Sequence, residues 1–129
     1  MRLTYLDSSG IVKLVDREAE SAALRRYLRR RTLVSSALAR TEVLRAAAAK
    51  GDDVVAHGRQ VLKRIDLVRI NNRVISAAAT ILPTELRTLD AVHLATAQQF
   101  RDDLREIVTY DVRMAEAAEL LGFRVTAPR

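Results

Sequence analysis

Leu3-Thr4-Tyr5-Leu6 is a short apolar run that stops at Asp7, and Ser8 to Val15 behind it reads as a short helix. The same alternation continues outward from this opening. Glu18 to Arg30 reads as a charged amphipathic helix, followed by a strand at Thr32-Leu33-Val34-Ser35. Leu38 to Lys50 and Asp53 to Ile65 form a helical hairpin, with Gly51-Asp52 as stop and cap. Leu67-Val68-Arg69-Ile70 is a third strand, and alanine-rich helices follow over Asn72 to Leu82 and Asp90 to Phe100. Ile107-Val108-Thr109-Tyr110 is a fourth strand, Val112 to Leu121 a helix stopped by Gly122, and Phe123-Arg124-Val125-Thr126 a short edge strand. Strands alternating with helices predict an α/β fold in three layers, a small parallel β-sheet flanked by helices on both faces.

The length, 129 residues, predicts a single domain over residues 1–129. At 49% hydrophobic and 29% charged the composition is globular, which argues against disorder. The absence of cysteine excludes disulfide frameworks, thiolate metal sites and thiol nucleophiles, and fits a reducing cytoplasm. No apolar run approaches the ~20 residues that cross a bilayer. Asp7 and Lys13 interrupt any signal-peptide stretch, so a cytoplasmic protein with no membrane partner is expected. The formal net charge of +6 favours polyanionic partners, although an arginine-rich, alanine-rich chain also arises from base composition alone. Three Tyr, two Phe and no Trp leave little for an aromatic platform that stacks single-stranded bases.

Dinucleotide, P-loop and nucleophile-elbow motifs are absent. His57 and His93, the two histidines, lack zinc-site spacing. Four acids stand out instead. Asp7 follows the first strand, Asp111 follows the fourth, Glu42 lies in the first turns of the helix after the second, and Asp90 opens the helix before the fourth. Strand carboxyl ends and the helix starts behind them share one edge of a parallel sheet, so all four are expected together there. Taken singly, Asp7, Asp90 and Asp111 also read as helix N-caps, and Glu42 as a surface partner of Arg45. Glu42, however, shares its side of the helix with Leu38, Ala46 and Ala49, where an unpaired acid is expensive. Four carboxylates with no Lys or Arg among them repel one another, and a divalent cation removes that cost. All-oxygen ligation selects Mg²⁺ or Mn²⁺.

Leu6-Asp7-Ser8-Ser9, Arg40-Thr41-Glu42-Val43, Leu89-Asp90-Ala91-Val92-His93-Leu94-Ala95-Thr96-Ala97 and Val108-Thr109-Tyr110-Asp111 occur in that order. In these segments the chain resembles the PIN-domain nucleases, and its compact size and Leu89–Ala97 stretch resemble the VapC-type toxins of type II toxin–antitoxin pairs. The resemblance makes Asp7, Glu42, Asp90 and Asp111 the catalytic and metal-binding quartet, with Thr109 and Ser8 supporting it. It implies an endoribonuclease that cleaves RNA phosphodiesters to inhibit translation, usually a homodimer, with a cognate VapB-like antitoxin. That antitoxin is expected to pack an apolar helix near residues 38–65 and to extend an arginine toward the acids.

Two rivals bear on the same residues. In a non-catalytic RNA- or protein-binding module the acids would be N-caps and nothing more. A phosphoryl-accepting receiver needs a lysine just after a late strand, and Lys13, Lys50 and Lys63 are all placed elsewhere. His93, one turn after Asp90, reads first as a packed histidine and is left out of the catalytic set. The Arg25–Arg31 run reads as a solvated helix face or an RNA-binding stripe.

Overall fold

The computed structural model describes residues 2–129, so the first residue of the expected domain lies outside the described residues. Five strands form one sheet: β1 (Leu3–Leu6), β2 (Thr32–Ser36), β3 (Asp66–Val68), β4 (Leu104–Val108) and β5 (Val125–Thr126). Their spatial order is β3-β2-β1-β4-β5, and every neighbouring pair is parallel. The connections are α1 (Ser8–Val15), α2 (Ser21–Leu28), α3 (Leu38–Ala48), α4 (Asp52–Leu62), α5 (Asn72–Ala78), α6 (Thr88–Gln98) and α7 (Val112–Leu120).

Successive strand residues point to opposite faces, and each face is covered. Leu6, Val108 and Leu33 pack with Ile11 and Leu14 of α1, Leu24 and Leu28 of α2, Val43 of α3 and Val61 of α4. Tyr5, Val34 and Ile107, one position away, pack with Leu94 and Ala97 of α6 and Met114 and Ala118 of α7. The expected three-layer α/β architecture is therefore present. Gly10 lets α1 lie close against the sheet, since a Cβ there would meet Leu6 Cδ2 at 3.3 Å and the Val108 oxygen at 3.4 Å.

Several boundaries differ from the sequence reading. The second helix begins at Ser21, not Glu18, because the Ser21 hydroxyl accepts from the Glu18 amide and donates to the Asp16 carbonyl in a turn. It ends at Leu28, with Arg30 in the left-handed region at φ 67°. The fourth strand begins at Leu104, three residues early, because Glu106 pairs in the sheet as a buried, fully partnered carboxylate. The third strand closes at Val68 and the last covers only Val125–Thr126. Gly51 at φ 126° does stop α3, but Asp52 is the first residue of α4 and not its cap. Among the described residues no helix is long and apolar enough to cross a membrane.

Candidate active site

Asp7 sits where β1 hands over to α1, and its side chain caps α1 by accepting from the Gly10 amide at 3.0 Å. The same Oδ1 accepts from the Ser9 hydroxyl at 2.6 Å, and Oδ2 accepts from the Thr109 hydroxyl at 2.5 Å. Thr109 follows β4 and also accepts from the Asp111 amide at 3.1 Å, so one hydroxyl ties the ends of two adjacent strands. Asp7 is 3% exposed. Burial pushes its carboxyl above the ordinary range despite the bonds from Ser9, Thr109 and Gly10, which act to lower it.

Asp111 caps α7, its Oδ1 accepting from the amides of Arg113 (2.9 Å) and Met114 (3.2 Å). Asp90 caps nothing. Helix α6 starts at Thr88, two residues earlier than expected, with Arg87 at its N-cap and Asp90 in the first turn. Arg87 also overturns the expectation that no Lys or Arg stands among the acids. Its Nε donates to Asp90 Oδ2 at 3.1 Å and its Nη2 to Asp111 Oδ2 at 3.1 Å. The one signal available in the sequence was its position three residues before Asp90, one helical turn away.

Glu42 is half-buried, on a different face from the one proposed. Helix α3 buries Ala39, Val43 and Ala47, whereas Ala46 and Ala49 are exposed. Its partner is not Arg45. Glu42 Oε1 accepts from Ser8 Oγ at 2.5 Å and from His93 Nε2 at 2.8 Å. Burial acts to raise the Glu42 carboxyl, but the bonds from His93 and Ser8 and the positive charge of Arg87 outweigh it and hold it below the ordinary range. His93, 1% exposed, is tethered on its other nitrogen by Tyr5, whose hydroxyl lies 2.7 Å from Nδ1. Burial pushes the Tyr5 phenol strongly upward, so it keeps its proton and donates to Nδ1 while Nε2–H donates to Glu42. His93 is thus a packed histidine that also orients an acid of the pocket. Sequence spacing hinted at the position but not at the role.

The four acids accordingly reach one edge of the sheet, from β1, α3, α6 and the end of β4, yet each is satisfied separately. Among the described residues no group of three or more acidic, histidine or cysteine side chains is placed to hold a metal ion as it stands. The donor chemistry nonetheless suits a hard cation: carboxylates and hydroxyls only, with Glu42 Oε2 and Asp90 Oδ1 free of hydrogen bonds to the chain among the described residues. Arg87, 69% exposed, supplies part of the positive charge that such an ion would bring.

A short parallel sheet with acids drawn to its carboxyl edge from four separate elements is an α/β framework that places a ligand site at that edge. The profile of the PIN domain matches residues 4–120, and the chain belongs to the PIN-domain family. It is 57% identical over 129 residues to Ribonuclease VapC46 of Mycobacterium tuberculosis, covering 99% of each chain. Two solved structures share the fold. The crystal structure of Mycobacterium tuberculosis VapC20, described as a sarcin-ricin loop cleaving toxin, superposes with a TM-score of 0.75 at 13% identity, over 97% of this chain and 99% of that one. A toxin–antitoxin complex from Klebsiella pneumoniae gives a TM-score of 0.71 at 21% identity, over 98% of each chain.

Proposed function

We propose that this chain is a Mg²⁺- or Mn²⁺-dependent endoribonuclease, the VapC-like toxin of a type II toxin–antitoxin pair that inhibits translation, and that residues 1–129 act as one cytoplasmic domain. The observation that carries the reading is the arrival of Asp7, Glu42, Asp90 and Asp111 at one sheet edge from four elements. Full-length likeness to a ribonuclease supports it. The quartet would hold the ion, with Ser8 and Thr109 positioning Glu42 and Asp7. When bound, the ion supplies positive charge to the phosphodiester oxygens and makes water a stronger nucleophile. Asp7 then gains the countercharge that its burial calls for. His93, fixed by Tyr5, holds Glu42 in one orientation. Arg87 lies at the exposed mouth, where its guanidinium can pass from Asp90 and Asp111 to a substrate phosphate.

The cap-only alternative accounts for Asp7 and Asp111, which do cap helices, but not for Asp90 or Glu42, which cap none. An antitoxin partner and a homodimer belong to the same proposal. Between α3 and α4 most apolar surface is spent internally, and what remains is a furrow of about 280 Å³ over Leu44 and Leu62, rimmed by Arg40, Arg59 and Lys63. Exposed Ile75, Leu82, Leu89, Val112 and Leu120 offer apolar surface for a second copy. The test is cleavage of RNA by the purified chain with Mn²⁺ and with EDTA. Cleavage only with the metal is expected, and equal cleavage in EDTA would refute the reading.

A further inference from the structure

The Arg25–Arg31 run plays no part in the acid pocket. Arg25, Arg29, Arg30 and Arg31 join Arg64 and His57 around a cavity of about 600 Å³, floored by Leu28 and Val61, whose lining contains no acid. Arg29 to Arg31 lead into β2, Leu33 is its second residue and Ile65 leads into β3, so this cavity opens at the amino edge of the sheet, opposite the quartet. Arg31 is committed elsewhere: its Nη1 lies 3.7 Å from Glu106 and its guanidinium stacks 4.3 Å from the Tyr27 ring centre. Arg25, Arg29, Arg30 and Arg64 form no ion pair among the described residues. Converging cations without a counter-charge repel one another, and an anion bound between them removes that cost.

Two details sharpen the picture. Arg30 occupies the left-handed backbone that closes α2, at φ 67°, where glycine would be the unstrained choice, so this cation stands at a position that disfavours any side chain. His57 donates from Nδ1 to the Val15 carbonyl at 2.8 Å, which leaves Nε2 as its other polar atom. Arginine forks pair with phosphate oxygens through two parallel bonds, and no Phe, Tyr or Trp lines the cavity to stack a base. This chemistry recognises a sugar-phosphate backbone and not a sequence.

We propose that this cavity binds the phosphate backbone of single-stranded RNA and anchors the substrate at a distance from the acids. The inference rests on the ribonuclease reading for the identity of its ligand, but its test does not depend on cleavage. Binding of the full-length protein to a labelled RNA of about 20 nucleotides is followed by fluorescence anisotropy in EDTA, across a salt series. A tetranucleotide, too short to span both edges, is the companion probe. In the triple variant Arg25→Gln/Arg29→Gln/Arg64→Gln the longer RNA should bind roughly tenfold more weakly. The slope of log affinity against log salt should become shallower by about 2, at about 0.7 per lost phosphate contact. Arg30→Gly, which keeps the left-handed backbone and should leave the fold intact, should make it shallower by about 0.7. Neither variant should change Mn²⁺-dependent cleavage of the tetranucleotide, which cannot occupy the cavity and the acids at once. Unchanged affinity and slope for the longer RNA in both folded variants would overturn the proposal. So would a loss confined to inorganic tripolyphosphate or to an acidic peptide with RNA binding intact. Failure of the wild type to cleave either RNA with Mn²⁺ would count against the nuclease reading alone.

Discussion

Replacing Asp7 by Asn separates what this carboxylate costs the fold from what it does. Asn keeps the shape, and its carbonyl still accepts from Ser9 and the Gly10 amide. Its amide would face Thr109, which can accept while turning its own hydroxyl toward Ser9 Oγ, 3.4 Å away. Three hydrogen bonds then lose their charge assistance, about 1 kcal/mol each. Against that stands a penalty of several kcal/mol for burying an ionised carboxylate. Because the carboxyl is pushed upward, the penalty wins, and the variant should be more stable by about 1–2 kcal/mol without metal near neutral pH, roughly 3–8 °C in melting temperature. The pH sign follows from the same shift. Between the unfolded carboxyl's pKa, about 3.9, and the higher folded value, the folded state holds a proton that the unfolded state has lost. Wild-type stability therefore falls as pH rises through that window, by at most about 1.4 kcal/mol per pH unit, and the advantage of Asn vanishes below it. Thermal melts in EDTA across pH measure the difference. A variant that is less stable than wild type near neutral pH would refute the stored cost.

Three further outcomes follow from the hydrogen-bond network. Tyr5→Phe leaves His93 Nδ1 buried without a partner, which should cost about 1–3 kcal/mol in urea melts. Because Glu42 loses its fixed orientation, RNA cleavage should also slow roughly tenfold. Glu106→Gln should destabilise the fold by about 2–3 kcal/mol near neutral pH, since Tyr27, Thr126, Thr4 and Arg31 all favour the charged form. Burial acts to raise this carboxyl, but those partners hold it below the ordinary range, so the wild-type advantage should shrink as pH falls below about 4.3. Arg87→Gln should cost about 1 kcal/mol of stability in EDTA, because the guanidinium is exposed even though its partner Asp90 is buried, while titration calorimetry finds tighter Mn²⁺ binding.

The α/β alternation was legible because short apolar stretches close on a polar residue just before a helix, as Leu6-Asp7 and Val108-Thr109 show. The amino end of β4 was hidden, since Arg105-Glu106 interrupts the apolar pattern and only the fold reveals that Glu106 is buried among hydroxyl donors. Convergence of the acids followed from strand polarity alone. What they touch did not: Arg87 enters the pocket from the turn before α6, and Tyr5 reaches His93 across 88 residues of sequence. Periodicity within one segment carries no information about such partners. Ala46 and Ala49 did not mark the buried face of α3, which runs through Ala39, Val43 and Ala47, because alanines are tolerated on either side of a helix and do not show in sequence which side is covered.

The central claim is that the acids act together on a metal ion, and Asp90→Asn tests it most directly. Asp90 caps no helix, so a broken helix start cannot explain lost activity. Melts in EDTA and in Mn²⁺ are run beside an RNA cleavage assay on wild type and variant. The account predicts that Mn²⁺ raises the wild-type melting temperature by mass action, that the variant gains much less, and that its Mn²⁺-dependent cleavage is abolished. A variant that cleaves RNA at nearly the wild-type rate and gains as much stability from Mn²⁺ would contradict it.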